Sequence, residues 1–447
     1  MTAPKTFLVL GGGLSGLLAA WHLHRAGLEV EVWEASASVG GWAQTLAWPG
    51  PDGEPGSLER GPQGLLVGRG GALDRVLREL NLELRPTAPK GPRWLGKGGR
   101  RHPSPASLGG LLQAPGLSLA AKLRMLAEPF IPAGGMVDDS LHTFFARRLG
   151  EGFARELLPA LVAGVFAAPP ERIGMEALPR LRSLEARGGL LLGGLRAGLG
   201  AGPGAGLSGR PGAGRERTRL PAGGTGALAG ALAKALGCVR RNHPVRTLEA
   251  LPGGRWRIRG EDSGLDVDAV VLALPARVAA DLLRPLAPVA ADRLGGIPHL
   301  DLRVWHSRHP AVPGCERGFG LLLHPLEGRG LLGVVGLAAD DPRGVPGLLQ
   351  LRAYLGGAYP VEAELEAWPG VFQELQRWLP ELAPPVQTRL EQAPGAFPLL
   401  EPGHGARAAR LLQELPPNLH WLGGARFGPG VPDLAEGIEA WAETLKR

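Results

Sequence analysis

Residues 7–42 read FLVLGGGLSGLLAAWHLHRAGLEVEVWEASASVGGW, and this stretch decides the fold. Thr6 to Leu10 is a short apolar run with the make-up of a buried parallel strand. Leu17, Leu18, Ala20, Trp21 and Leu23 continue at helical spacing up to Gly27, a natural helix stop. Leu28 to Trp33 then alternates and ends at a lone acid, Glu34. Between the first strand and the helix lies G-x-G-x-x-G at Gly11, Gly13 and Gly16. In such a unit Gly11 serves the tight turn, Gly13 the close approach of a pyrophosphate, and Gly16 the contact of helix with strand. The helix start offers free N–H groups and the positive end of its dipole to the phosphates. Glu34 stands where an acid accepts hydrogen bonds from a ribose. Strand, glycines, helix, strand and acid in this order predict an α/β dinucleotide-binding unit.

The chain has 447 residues, about three domains' worth, and room for a large core. Lys and Arg number 49 against 42 Asp and Glu, a formal +7 that suits an anionic ligand or membrane surface. Nucleic acid is not expected, because no zinc-ligand spacing, RNP-like strand or Lys/Arg block accompanies the charge. Two distant cysteines, Cys238 and Cys315, offer no disulfide framework and predict a reducing, cytoplasmic setting. His22, His24, His306 and His309 lack partners at metal spacing, so no metal is expected. The N-terminus has no basic segment leading into a cleavable apolar one, and no run of about 20 apolar residues predicts a spanning helix.

Further along, residues 71–80 read as a helix and residues 93–105 as a strand, glycine turn and basic strand. Residues 108–195 are mostly helical, and 197–214 are Gly/Pro-rich and read as a flexible loop. Residues 244–259 form a hairpin around 251–254, and DAVVLALP (268–275) is a buried strand. Residues 300–355 alternate as an antiparallel sheet does. Two helical runs, 361–368 and 371–379, read as broken at Pro369 and Gly370. The C-terminal segment is a strand, a glycine-rich turn and a helix from about Pro432, a second helix start able to face a ligand.

Taken together, GGGLSG, Glu34, GGW (40–42), ERGPQG (59–64), AGVF (163–166), GFGLLLHP (318–325) and GVPDLAEG (430–437) resemble the FAD-dependent amine-oxidase-like superfamily, and within it the protoporphyrinogen oxidase family. The resemblance runs in order along nearly the whole chain. It implies a Rossmann-like FAD-binding domain assembled from residues 1–88, 217–294 and 395–447. A substrate domain of antiparallel sheet plus helices would come from 89–107 and 295–394. An inserted helical domain at 108–196 would be followed by the loop at 197–216, with 108–132 a candidate membrane-surface element. FAD would be held by Gly11, Gly12, Gly13, Leu14, Ser15, Gly16, Glu34, Gly40, Gly41, Trp42, Gly61, Pro62, Gln63, Gly64, Val245, Pro429, Gly430 and Val431. Arg93, Gly164, Phe319, Leu322 and Tyr354 would meet the substrate. Gln63 stands where the family often has Arg or Asp, and Ala163 where animal members carry Arg.

The implied activity is oxidation of protoporphyrinogen IX to protoporphyrin IX in heme biosynthesis, with O2 as acceptor and H2O2 as product. Coproporphyrinogen III is the alternative substrate. An amine oxidase or carotenoid desaturase is a rival, although only Tyr354 and Tyr359 are available for an aromatic cage. A non-catalytic flavin or porphyrin carrier is another rival. No catalytic base stands out, since the cofactor carries the hydride step. Expected partners are the porphyrinogen, O2, the cytoplasmic face of the inner membrane, a ferrochelatase taking the product, and a second copy of the chain.

Overall fold

The computed structural model describes residues 5–87, 91–104, 110, 113–114, 117–135, 138–178, 181, 185–186, 189–190, 217–261 and 263–445. The loop expected at 197–214 lies outside them, as does much of 179–195.

The opening stretch folds as its pattern dictates. Strand Thr6–Leu10 leads through the glycine turn into helix Leu14–Arg25, which is followed by strand Glu29–Trp33. A five-stranded parallel sheet is ordered Val239–Arg240, Glu29–Trp33, Thr6–Leu10, Ala269–Leu272 and Leu419–Trp421. Its two central strands are buried on both faces, and for that reason they are continuous apolar runs. Helices Leu14–Arg25, Gly226–Leu236 and Val431–Thr444 cover one face. The hairpin Thr247–Leu251 and Arg255–Arg259 packs with helices Ala276–Leu283 and Pro288–Gly295 on the other.

A second, seven-stranded sheet is ordered Gln387–Pro398, His299–Pro310, Leu348–Gly356, Leu331–Ala338, Arg317–Leu323, Arg93–Lys97 and Arg100–Pro103. All neighbours are antiparallel except Arg317–Leu323 with Arg93–Lys97. Side chains alternate between its faces. Phe319, Leu321, Leu323, Leu351, Ala353 and Leu355 point back onto helix Trp368–Trp378. Leu95, Leu302 and Leu322 point the other way, onto helices Leu141–Leu149 and Leu158–Phe166.

Two expectations need correction. Pro369 does not break a helix. It sits in the first turn of Trp368–Trp378, where a proline's missing N–H costs nothing, and the preceding run is only a single 3-10 turn, Ala363–Glu366. The long strand Gln387–Pro398 was not foreseen, because its alternation is diluted by glutamines and prolines. Among the described residues no helix is long and apolar enough to cross a membrane.

Candidate functional site

The glycine turn is built from contacts that exclude side chains. Gly11 adopts φ +104°, and a Cβ there would lie 2.5 Å from the Ala273 carbonyl oxygen. A Cβ on Gly16 would run into the carbonyl oxygen of Gly11. Gly13 differs: a Cβ would meet only the Gly41 Cα, at 3.9 Å, so its backbone borders open space. Leu14, Ser15 and Gly16 form the first turn of the helix behind it. Gly40 donates its N–H to the Gly12 carbonyl at 2.7 Å, which brings Gly40, Gly41 and Trp42 alongside the turn.

Glu34 lies against Gly12. One carboxylate oxygen accepts the Gly12 N–H at 2.7 Å and the other the Ser36 N–H at 2.8 Å. Both oxygens keep lone pairs for further donors such as ribose hydroxyls. The Glu34 carbonyl accepts the His243 N–H at 2.8 Å, which draws half-buried Val245 to the same end.

At the other end, the second glycine-rich turn meets the first. A Cβ on Gly423 would be 3.9 Å from Ser15 Oγ, and Gly430 is the residue from which helix Val431–Thr444 starts. Gly424, the residue after Gly423, packs on Pro429, since a Cβ there would lie 3.7 Å from the Pro429 Cα, and Gly430 and Val431 follow directly. Arg426 donates to the Trp421 carbonyl at 2.7 Å and lies over Phe427. Burial lowers its pKa to about 10, so it keeps its positive charge at neutral pH.

The segment ERGPQG is clamped from below. Buried Glu59 accepts the Thr45 hydroxyl at 3.0 Å and both the N–H and the hydroxyl of Thr225. Gly61 packs on the Trp42 carbonyl, Pro62 is half-buried, and Gly64 packs on Thr218. The Gln63 side-chain amide donates to the carbonyls of Glu59 and Gly61, and the Gln63 carbonyl accepts Arg343 Nη1 at 2.7 Å.

On the second sheet, Arg93 pairs in register with Gly320, and Leu322 with Gly333, which in turn pairs with Tyr354. These three side chains share one face. Gly164 comes down on it: a Cβ there would sit 2.7 Å from Leu322 Cδ2. Phe319 does not join them. It is fully buried on the opposite face, 5.3 Å from the Trp94 ring centroid, so its expected place against substrate is corrected to a core position. GFGLLL is apolar on both faces, and its sequence could not say which side Phe319 takes.

Glu59, Arg308 and Arg343 escaped the sequence reading. Glu59 had a signal, a lone acid opening the P-Q-G turn. The arginines act through cross-strand register, which one sequence does not display.

The family model of the flavin containing amine oxidoreductases matches residues 14–431. The chain is 32% identical to human protoporphyrinogen oxidase over 381 residues, covering 79% of this chain and 78% of that one. This chain is a protoporphyrinogen-oxidase-like member of the FAD-dependent amine oxidase superfamily. Coproporphyrinogen III oxidase of Bacillus subtilis (strain 168), of the same family, is 25% identical over 99% of this chain and 98% of its own. Among solved structures, an Exiguobacterium sp. 255-15 protein assigned as a protoporphyrinogen oxidase superposes with TM-score 0.78 at 20% identity, over 100% and 99% of the two chains. Cyclohexylamine oxidase from Brevibacterium oxydans IH-35A gives 0.70 at 20% identity, over 99% and 100%. These two share the fold.

Proposed function

We propose that this chain binds FAD and oxidises protoporphyrinogen IX to protoporphyrin IX, with O2 as the final acceptor. The observation that carries the reading is the face where Gly164 closes on Leu322 beside Tyr354, with exposed Arg93 at its rim. An apolar wall with an exposed guanidinium at the edge suits a ring that is apolar in the middle and carboxylated at its border. The close relation to human protoporphyrinogen oxidase supports it.

The Gly13 backbone, the N-terminus of helix Leu14–Arg25 and Glu34 would hold the ADP half of FAD. Gly40 to Trp42, Gly61 to Gly64 and Pro429 to Val431 would line its flavin half. Bound FAD supplies the two-electron acceptor. The protein's own part is orientation. Arg93 would pair with a carboxylate arm by charge-assisted hydrogen bonds, worth about 1.5–3 kcal/mol. Leu322 and Tyr354 would hold the ring, and the Gly164 backbone would face its reacting edge. Three two-electron rounds consume three O2 and release three H2O2. Coproporphyrinogen III, which carries more carboxylate arms, fits the same face, and the relation to the Bacillus enzyme favours including it.

The test is porphyrin fluorescence over time after mixing the FAD-loaded protein with each porphyrinogen in air, against an enzyme-free control. Faster appearance with protoporphyrinogen IX supports the assignment, and faster appearance with coproporphyrinogen III moves the substrate. Acceleration with neither, and no anaerobic bleaching of the flavin by either, sinks the oxidase reading in favour of a carrier.

The proposal extends to a membrane-surface site. Leu119, Leu123, Leu126 and Phe130 are 73%, 59%, 42% and 86% exposed. They fall along one side of helix Leu119–Leu126 and the turn after it, with Lys122 nearby. Such a face suits docking on an anionic lipid surface, where a poorly soluble porphyrinogen would enter. Product transfer to a ferrochelatase and pairing of two copies belong to the same proposal.

A further inference from the structure

The second sheet holds two buried groups to which the proposed reaction gives no role, on the same face as Tyr354, and one of them, Arg352, also reaches Tyr354 by a side-chain hydrogen bond. His306 and Arg352 stand opposite each other on neighbouring antiparallel strands and are 0% and 1% exposed. Residues so paired share a face, with Cβ atoms about 4.5–5.5 Å apart. Both ring nitrogens of His306 and the Nε and Nη2 of Arg352 are buried with no hydrogen-bond partner. The Trp48 ring closes edge-on over His306, with centroids 6.1 Å apart.

The surrounding charge is lopsided. Arg308, Arg343 and Arg389 act on His306 together with Arg352. Asp341 is taken by Arg343, which donates to both carboxylate oxygens at 2.8 and 2.7 Å. Glu391 is taken by Arg389 and Arg60. Arg308 directs its donors to Gln350, Gln387 and the carbonyls of Trp48 and Pro49. Asp341 is the carboxylate whose charge acts on Arg352, but its direct ion pair is with Arg343.

Burial lowers the Arg352 pKa to about 10, so it remains a cation at neutral pH. His306 is pushed to about 3, by burial first and then by Arg352, so it is a neutral ring with one N–H to give. A buried cation without a directly paired counter-charge is costly, and the Nε, Nη2 edge of a guanidinium is a fork shaped for an anion.

We propose that Arg352 and His306 hold a small monovalent inorganic anion of the halide class. The Nε–H and Nη2–H of Arg352 and one imidazole N–H of His306 are its donors. The near-complete burial of both groups favours a small occupant over a carboxylate arm of a tetrapyrrole. Trp48 and Pro49 are fastened over this end of the sheet by Arg308, and a large ligand would have to dismantle them. The bound anion offsets the surplus positive charge among the four arginines. The inference does not depend on which substrate the enzyme takes.

The test uses the FAD-loaded full chain. Crystals grown in bromide are measured at the bromine absorption edge. Thermal melts compare chloride with gluconate at equal ionic strength for the wild type and for R352M. Expected are an anomalous peak within hydrogen-bonding reach of Arg352 and His306, and a rise in Tm of ~3 °C at chloride about 100 times its Kd. R352M should lose that rise. R352K keeps the charge but not the fork, and it should lose most of the rise too, which serves if R352M does not accumulate. A water between the pair with no bromide signal, a wild-type Tm equal in both salts, or the carboxylate of a bound porphyrin at that position would each overturn the proposal.

Discussion

Gly13 and Gly16 are three positions apart, yet replacing each tests a different property. Gly13→Ala adds a methyl group to open space at an ordinary negative φ, so the fold should persist with an unchanged Tm while FAD no longer binds. Gly16→Ala drives a methyl into the Gly11 carbonyl, so a loss of soluble protein or a large drop in Tm is expected. Glu34→Gln should keep the fold and weaken FAD binding roughly 10–100-fold, the equivalent of losing charge-assisted hydrogen bonds. Flavin absorbance in an equilibrium titration measures both effects. Phe319→Ala should cost about 3–5 kcal/mol of stability by leaving a cavity, with the KM for porphyrinogen unchanged. A raised KM at unaltered stability would return Phe319 to the substrate face. The strand, turn and helix around Gly11, Gly16 and Glu34 were legible because local chain geometry fixes them and a motif records it. The resemblance puts Leu322 and Phe319 together, whereas the structure puts them on opposite faces, since an all-apolar strand carries no mark of which side each residue takes.

Single elements also carry testable consequences. His420 lies on the strand Leu419–Trp421, wedged between Phe7 and Trp441. Burial first, and then Arg426, lowers its pKa from 6.5 to about 4. Between those values the unfolded chain binds a proton that the native one refuses. Its contribution is therefore complete above the upper value and lost as pH falls toward the lower, by up to about 1.4 kcal/mol per pH unit. Denaturant melts should show this acid limb in the wild type and a shallower one in His420→Asn. The helix Leu119–Leu126 makes a separate prediction. Changing Leu119, Leu123, Leu126 and Phe130 to Gln should abolish sedimentation with anionic liposomes. The melting temperature should hold, because exposed sites away from packing shift stability by about 0.5 kcal/mol or less. Unchanged sedimentation would refute membrane docking. The amphipathic pattern of this element was readable in the sequence, but the outward turn of its apolar side was not, because a core helix has the same periodicity.

At the scale of the molecule, the two sheets are fastened together by chain segments that belong to neither. Arg308 donates from the second sheet to the carbonyls of Trp48 and Pro49, and Arg343 to that of Gln63, so the segment from Trp48 to Gln63 is tied to the second sheet and the turn beside it. Arg308→Met should strand those buried carbonyls and cost about 3 kcal/mol or more. It should also speed FAD release, seen as faster recovery of free-flavin fluorescence on dilution. None of this was legible beforehand, because it depends on which residues of distant strands fall opposite one another. The order of the parallel sheet has a consequence for synthesis. Strand Ala269–Leu272 is an inner strand only once Leu419–Trp421 has paired with it, and about 150 residues separate the two. A nascent chain therefore carries an apolar, unpaired edge through roughly a third of its translation. On the ribosome, the last strand and helix act as the closing seam, and shielding that edge until they emerge falls to chaperones.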